Sequence, residues 1–309
     1  MSNATSLNAP QFTNEAAAVA HLEASRWPDG VSCPHCGSVA VTRMGGKTQA
    51  GMFLCNDCRD KFTARTGTVM ERSHIPIHKW LLAIHLLNSG KNGVSAHELH
   101  RMLGVTYKSA WFLSHRIREA MKDDNTAAPM GGEGQSVQID ETYTGNTSKR
   151  SKSYKKGLKD KRAIVALVDP AKGQARAFHV KNVNAKTVRG LLTKHADRKS
   201  ALVTDEALIY RKVGREFAKH RRVFHKHGWY VTDDGFTTNN VENFFGIFKR
   251  SLRGTYVFCS EQHLQRYLNE FQFRFNHRAK LGVTDGERAA IALKGIEGKR
   301  LTYLIPHQS

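Results

Sequence analysis

Two C-x2-C pairs, Cys33-Pro-His-Cys36 and Cys55-Asn-Asp-Cys58, stand eighteen residues apart and constrain this chain more than any other feature. A segment that short cannot bury enough apolar surface to hold itself together, but four thiolates converging on one tetrahedral ion can fold it. The spacing is that of a four-cysteine zinc site with Cys33, Cys36, Cys55 and Cys58 as ligands, each pair forming one tight knuckle and the intervening hairpin joining them. Gly37 follows the first pair, where a positive φ is often required. Chance spacing of reduced thiols is the alternative. His35 lies inside a knuckle and reads as a surface group, and Cys259 stands alone as an inert thiol. The pattern specifies zinc rather than function, because ribbons of this kind serve DNA, RNA and protein alike.

Charge narrows the partners. Lys and Arg total 48 against 27 Asp and Glu, a formal net of +21 with a pI near 10.0. Such a surplus points to a polyanion, since each cation set on a phosphate releases a condensed counterion; simple solubility charge is the competing reading. No run approaches the roughly eighteen apolar residues of a membrane span, so no membrane partner is expected. The start of the chain lacks the basic and apolar regions of a signal peptide, which places the protein in the cytoplasm, associated with the nucleoid. In that reducing compartment paired cysteines mean metal before disulfide.

The chain reads as a leader (1–29), a zinc ribbon (30–66), a helical segment (77–122), a Gly-rich linker (123–135), a mixed α/β domain (136–280) and a C-terminal tail (281–309). In the helical segment Trp80, Leu81, Ile84 and Leu87 recur at helical spacing. Two further helices meet at Gly104, with Thr106 or Ser109 as a cap, in the manner of a helix-turn-helix. Its second helix carries Lys108, Trp111, His115, Arg116 and Arg118, and its cations suit phosphates; an ordinary three-helix packing unit is the alternative. Trp80 and Trp111 read as core. Beyond the linker, SVQIDETY (136–143) alternates as a strand does, RAIVALVD (162–169) is a buried run, and ARAFHV (175–180) pairs with it. A helix is expected over 185–195, a strand over 200–205, and helices over 239–252 and 261–276. Three strands, a helix, a strand and later helices match an RNase H-like layout, so the fold class is α/β behind a ribbon and a helical domain.

Three acidic residues fall where such a layout can gather them: Asp140 inside a strand, Asp205 closing another, and Glu242 opening a helix. Lys249 follows Glu242 by seven residues, about 700° of helix, so the two share a face roughly 10 Å apart. Carboxylates so placed can converge on a pair of Mg²⁺ or Mn²⁺ ions about 4 Å apart, which explains acidic residues at the working centre of a basic protein. Glu141 faces the other side of its strand and reads as non-catalytic. Asp233 and Asp234 read as loop residues. The densest positive run, Lys149-Arg-Ser-Lys-Ser-Tyr-Lys-Lys156, follows the Asp140 strand; Lys149, Arg150, Lys155 and Lys156 can clamp DNA there or form a solvated loop. His220-Arg-Arg-Val-Phe-His-Lys-His227 reads as phosphate contact rather than a metal site.

Several segments together resemble bacterial insertion-sequence DDE transposases of the ISXO2-like type: Asp140-Glu-Thr-Tyr-Thr-Gly145, Thr204-Asp-Glu206, Thr238-Asn-Asn-Val-Glu-Asn-Phe-Phe245, Lys249-Arg250, Arg253-Gly-Thr-Tyr256 and the closing helix Leu264–Asn276. The Cys33–Cys58 ribbon followed by Thr66-Gly-Thr-Val69 fits the N-terminal zinc ribbon typical of that family, and the likeness spans roughly residues 20–303. The resemblance implies Asp140, Asp205 and Glu242 as the DDE triad and Lys249 as its accessory lysine, with Arg250 and Arg253 beside it on the DNA. It further implies terminal inverted repeats and target DNA as partners and a homo-oligomer in the synaptic complex. Thr237 departs from the pattern, since many relatives carry His there. Two rivals stay open: a non-catalytic zinc-ribbon DNA-binding regulator derived from such an element, and a structure-selective nuclease on the same core.

Overall fold

The computed structural model describes residues 6–46, 51–123, 128–145, 161–225 and 228–302. They divide into two compact units, one of residues 1–122 with 278–309 and the other of residues 123–277.

In the first unit Asn14 caps α1 (Glu15–Arg26) by accepting from the Ala17 amide, and Ala18 and Leu22 are its buried positions. The ribbon follows as an antiparallel meander of β1 (Val41–Arg43), β2 (Met52–Cys55) and β3 (Lys61–Thr63). Alternation along β2 sends Phe53 and Cys55 inward, where Phe53 stacks on Phe62 with ring centroids 5.4 Å apart. These rings with Cys33 and Trp27 make a core too small to stand alone.

Three helices come next: α2 (Ile77–Ser89), α3 (Ala96–Leu103) and α4 (Tyr107–Ala120). Ser95 and Glu98 form a capping box at the start of α3, Gly104 ends it at φ 60°, and Thr106 caps α4 through the Ser109 amide. Trp80, Leu81, Ile84, Leu87, Leu99, Leu103, Leu113 and Ile117 are all buried. The second helix presents fewer cations than its sequence suggests. His115 and Arg118 are buried, Arg118 donating to Ser114. Arg116 is half-buried, with its guanidinium over the Phe112 ring and its Nε donating to the Leu301 carbonyl. Positions 115 to 118 flank the buried stripe of Leu113 and Ile117, and the unit covers them. Lys108, in the first turn, is exposed.

The second unit is built on one five-stranded sheet: β4 (Ser136–Thr144), β5 (Arg162–Asp169), β6 (Gln174–Val180), β7 (Ala201–Thr204) and β8 (Lys219–Arg222). The spatial order is β6-β5-β4-β7-β8; β4, β5 and β6 are antiparallel neighbours, while β7 and β8 run parallel to β4. A three-strand meander extended by two parallel strands past its first member is the RNase H-like sheet. Helix α5 (Ala185–His195) covers one face, burying Val188 and Leu192 with Val137, Ile139, Val165 and Leu167. On the other face α6 (Asn239–Ser251) and α7 (Glu261–Asn276) bury Phe244, Phe248, Leu268 and Phe271 over Ile164, Ala166 and Ala177.

Two segments differ from their expected roles. The linker's second half belongs to the second unit: Met130 is buried and bridges Ala196, and the Gly131 and Gly132 amides donate to Asp169 and Ser200. The expected tail from 281 contains α8 (Asp285–Lys294), opened by a Thr284–Glu287 capping box and packed on α2. Ala292, Leu293 and Ile296 are buried, so this stretch completes the first unit's core.

Candidate active site and metal centre

In the ribbon the two knuckles are near copies of each other. The Gly37 amide donates to the Cys33 carbonyl at 2.8 Å and the Arg59 amide to the Cys55 carbonyl at 3.0 Å, with φ of 79° and 65° at Gly37 and Arg59. Four sulfurs thereby fall within 4.8 Å of one another. Cys33 to Cys58 is 3.7 Å and Cys36 to Cys55 is 3.6 Å. Tetrahedral Zn–S bonds of about 2.3 Å put sulfurs roughly 3.8 Å apart, so the donor set fits zinc in chemistry and size. Backbone amides, that of Cys58 foremost, bring the Cys55 thiol down to about 7. Cys58 goes the other way, to about 12: the Asp60 amide favours its thiolate, but burial and the three neighbouring sulfurs outweigh it. A divalent cation at the four sulfurs would favour the thiolate form of each, as metal binding to cysteines requires.

In the second unit, register does the gathering. Parallel pairing of β4 with β7 sets Val137 beside Leu202 and Gln138 beside Val203. Two residues further on, the same register brings Asp140 level with Asp205, on strands about 4.8 Å apart. Gln138 and Asp140 face the α6 side of the sheet. There the Gln138 Oε1 accepts from the Asn240 and Val241 amides at 3.1 and 3.2 Å. Thr238, at the N-cap, makes no side-chain cap of its own. A strand side chain thus caps α6 and fixes its first turn, which holds Glu242, over Asp140.

Electrostatics records the result. Burial pushes Asp140 up to about 7, and the negative charges of Glu141, Asp205 and Glu242 act in the same direction. Lys249 is lowered by burial, while the negative charge of Asp140 pulls the other way. Asp205 accepts from the Ala207 amide at 3.0 Å. Among the described residues, the cysteine sulfurs form a set of potential ligands all within 4.8 Å of one another, and the three carboxylates do not form such a set. Arg250 and Arg253 are exposed on the helix end beyond Lys249. Lys149, Arg150, Lys155 and Lys156 lie outside the described residues.

Two neighbours of the site were not placed beside the carboxylates by the sequence. His225 Nε2 lies 3.4 Å from Glu242 Oε1 and 3.3 Å from Thr238 Oγ1, which itself donates to Glu242 at 2.6 Å. An imidazole therefore stands beside Glu242 although position 237 is Thr. Tyr210, fully buried, donates to Glu141 on the opposite face of the sheet. His220, one of the group read as phosphate contacts, lies against Thr204 Oγ1 at 3.1 Å.

Known proteins share this arrangement in sequence. Residues 131–276 match the family model described as ISXO2-like transposase domain, and residues 13–61 match the transposase zinc-ribbon domain. An uncharacterized protein in transposable element ISH50 of Halobacterium salinarum is 28% identical over 280 residues, covering 85% of this chain and 91% of its own. Solved structures offer more distant likenesses. The HTLV-2 integrase catalytic core domain, in complex with magnesium, is 16% identical, with a TM-score of 0.31 over 46% of this chain and 86% of that one. A simian T-cell lymphotropic virus intasome, in complex with a PP2A regulatory subunit, is 17% identical, with a TM-score of 0.29 over 56% and 63%. The ribbon and the second unit both carry the family's sequence pattern, and the chain belongs to the ISXO2-like DDE transposases with an N-terminal zinc ribbon.

Proposed function

We propose that this protein cuts DNA at the ends of an insertion sequence and transfers the freed 3′-hydroxyl to target DNA, with Asp140, Asp205 and Glu242 as its metal-holding carboxylates. One observation carries the reading: the charges of Asp205 and Glu242, from two other elements, both act on the half-buried Asp140. A hard-oxygen donor set of this kind fits Mg²⁺ or Mn²⁺, which keep several waters and need few carboxylates, so ligands spread more widely than the cysteine sulfurs suit a pair of ions. When bound, the ions supply an activated nucleophile and charge neutralisation at phosphorus.

The chain's own groups do the rest. Asp140 and Asp205 hold fixed positions through strand register, and Glu242 through the Gln138 cap and the Thr238 hydroxyl. Lys249 offers a cation to a phosphate next to the cut, and the exposed Arg250 and Arg253 continue that line away from it. In the other unit the zinc ribbon and Lys108 contribute DNA contacts, Arg116 being engaged within its own unit. The working form is a homo-oligomer holding two inverted repeats.

The test is cutting of DNA carrying the inverted repeats that flank the coding sequence, with Mg²⁺ present. Wild type should nick at the repeat end and join it to a target plasmid. Asp205→Asn should lose at least ~100-fold, since even groups that only orient a metal ligand contribute 10- to 100-fold. Equal activity in both proteins would remove the carboxylates from the chemistry, and nicking without joining would favour a nuclease.

A further inference from the structure

After β8 the chain doubles back between residues 223 and 237, pinned by isolated bridges Phe224↔Trp229 and Val231↔Thr237, and runs directly into α6. Trp229, Tyr230 and Val231 follow its turn and are 63%, 56% and 55% exposed. Trp229 meets the Phe224 ring edge-on at 6.2 Å, yet all three residues keep more than half of their surface exposed, as binding surfaces do. Their neighbours indicate which kind. The Tyr230 ring lies 5.3 Å from that of His225, and His225 lies 3.4 Å from Glu242. The strand feeding the hairpin is Lys219-His-Arg-Arg222, with Arg221 held by Asp234 at 2.5 Å and Arg222 over the Phe224 ring. Aromatic faces next to cations, one side chain away from a carboxylate site, complement a sugar-phosphate strand with its bases turned out better than they complement an apolar protein surface.

We propose that the Trp229-Tyr230-Val231 hairpin is a base-stacking site for unpaired nucleotides at the DNA end held by the carboxylates. This rests on the DNA-cutting reading above and adds a class of ligand to the same site. Every base has a π-face, so stacking grips a frayed or single-stranded end whatever its sequence. Paired bases keep their faces against each other, so the hairpin favours opened DNA over closed duplex.

The experiment uses the full chain, without magnesium, and two fluorescent probes: oligothymidine of about twenty nucleotides, longer than a typical single-strand site, and a blunt duplex of equal length. Trp229→Ala should weaken oligothymidine binding roughly 5- to 150-fold, the range for loss of one stacked base, and leave duplex binding within about twofold. Trp229→Phe should retain most of the oligothymidine affinity. Of the four tryptophans, Trp229 alone lies in residues 123–277, so oligothymidine should quench an emission component that Trp229→Phe lacks; this readout keeps the test decisive should the alanine variant fold poorly. Unchanged oligothymidine affinity in both variants, with no quenching of that component, would overturn the proposal. So would a wild-type dimer that becomes monomeric in Trp229→Ala with single-strand affinity intact, which would make the hairpin a contact between copies. Wild type that binds neither probe would overturn the DNA-cutting reading along with this one. Stacking without magnesium-dependent cutting would support this proposal and overturn only the catalytic one.

Discussion

At Asp140, burial and like charge act together on a single carboxyl, and the consequence has a sign. Its ordinary value is 3.8 and its folded value about 7. Between those values the folded protein keeps a proton that the unfolded chain has lost, so this group's contribution to stability falls as pH rises from about 4 to about 7. Asp140→Asn removes the liability. In magnesium-free buffer at pH 8 it should raise the stability of the unit spanning 123–277 by about 1–3 kcal/mol, and near pH 4, where the native carboxyl is also neutral, the two proteins should converge. Thermal unfolding followed across pH measures this directly; a constant offset at every pH would mean the effect is packing rather than charge. Added magnesium should stabilise wild type more at pH 8 than at pH 5, because the cation competes with the proton.

Among elements, the junction of β4 with α6 matters most to the site. Gln138 satisfies two amides at the helix start, those just before Glu242, in place of a local cap. Gln138→Ala should slow cutting about 10- to 100-fold by letting the first turn drift. Gln138→Glu keeps an acceptor, suits the positive end of the helix dipole and should recover part of the loss; equal rates for the two variants would deny the cap its role. Strand and helix identity in this unit was legible because β4 alternates, β5 is one apolar run, and α5 and α7 carry apolar residues at helical spacing. Strand β8 was not: Lys-His-Arg-Arg reads as a cationic loop, and only parallel pairing with β7 along the sheet edge makes it a strand. His225 reads in sequence only as a phosphate contact for a related reason, since its contact with Glu242 joins positions seventeen apart and leaves no periodic trace.

Over the whole molecule, the chain leaves its first unit at residue 122 and returns at 278. The stretch 281–309 is expected from sequence to be a tail, yet α8 closes the core over α2. Deleting residues 281–309 should therefore cost the first unit several kcal/mol, about 3 or more, for the loss of buried Ala292, Leu293 and Ile296. Chemical denaturation of the truncated protein, compared with full length, would show an early transition; coincident curves would mean the segment is dispensable. The places of the three proposed ligands, mid-strand, at a strand end and at a helix start, were legible in sequence, whereas the hairpin beside them depends on how the chain turns after β8.

The central claim is that side chains from β4, the end of β7 and the first turn of α6 share divalent cations. Crystals soaked in manganese and measured for anomalous scattering test it without relying on activity. The account predicts peaks about 2.0–2.4 Å from carboxylate oxygens of Asp140, Asp205 and Glu242. Manganese bound only elsewhere, with those three carboxylates unliganded, would contradict it.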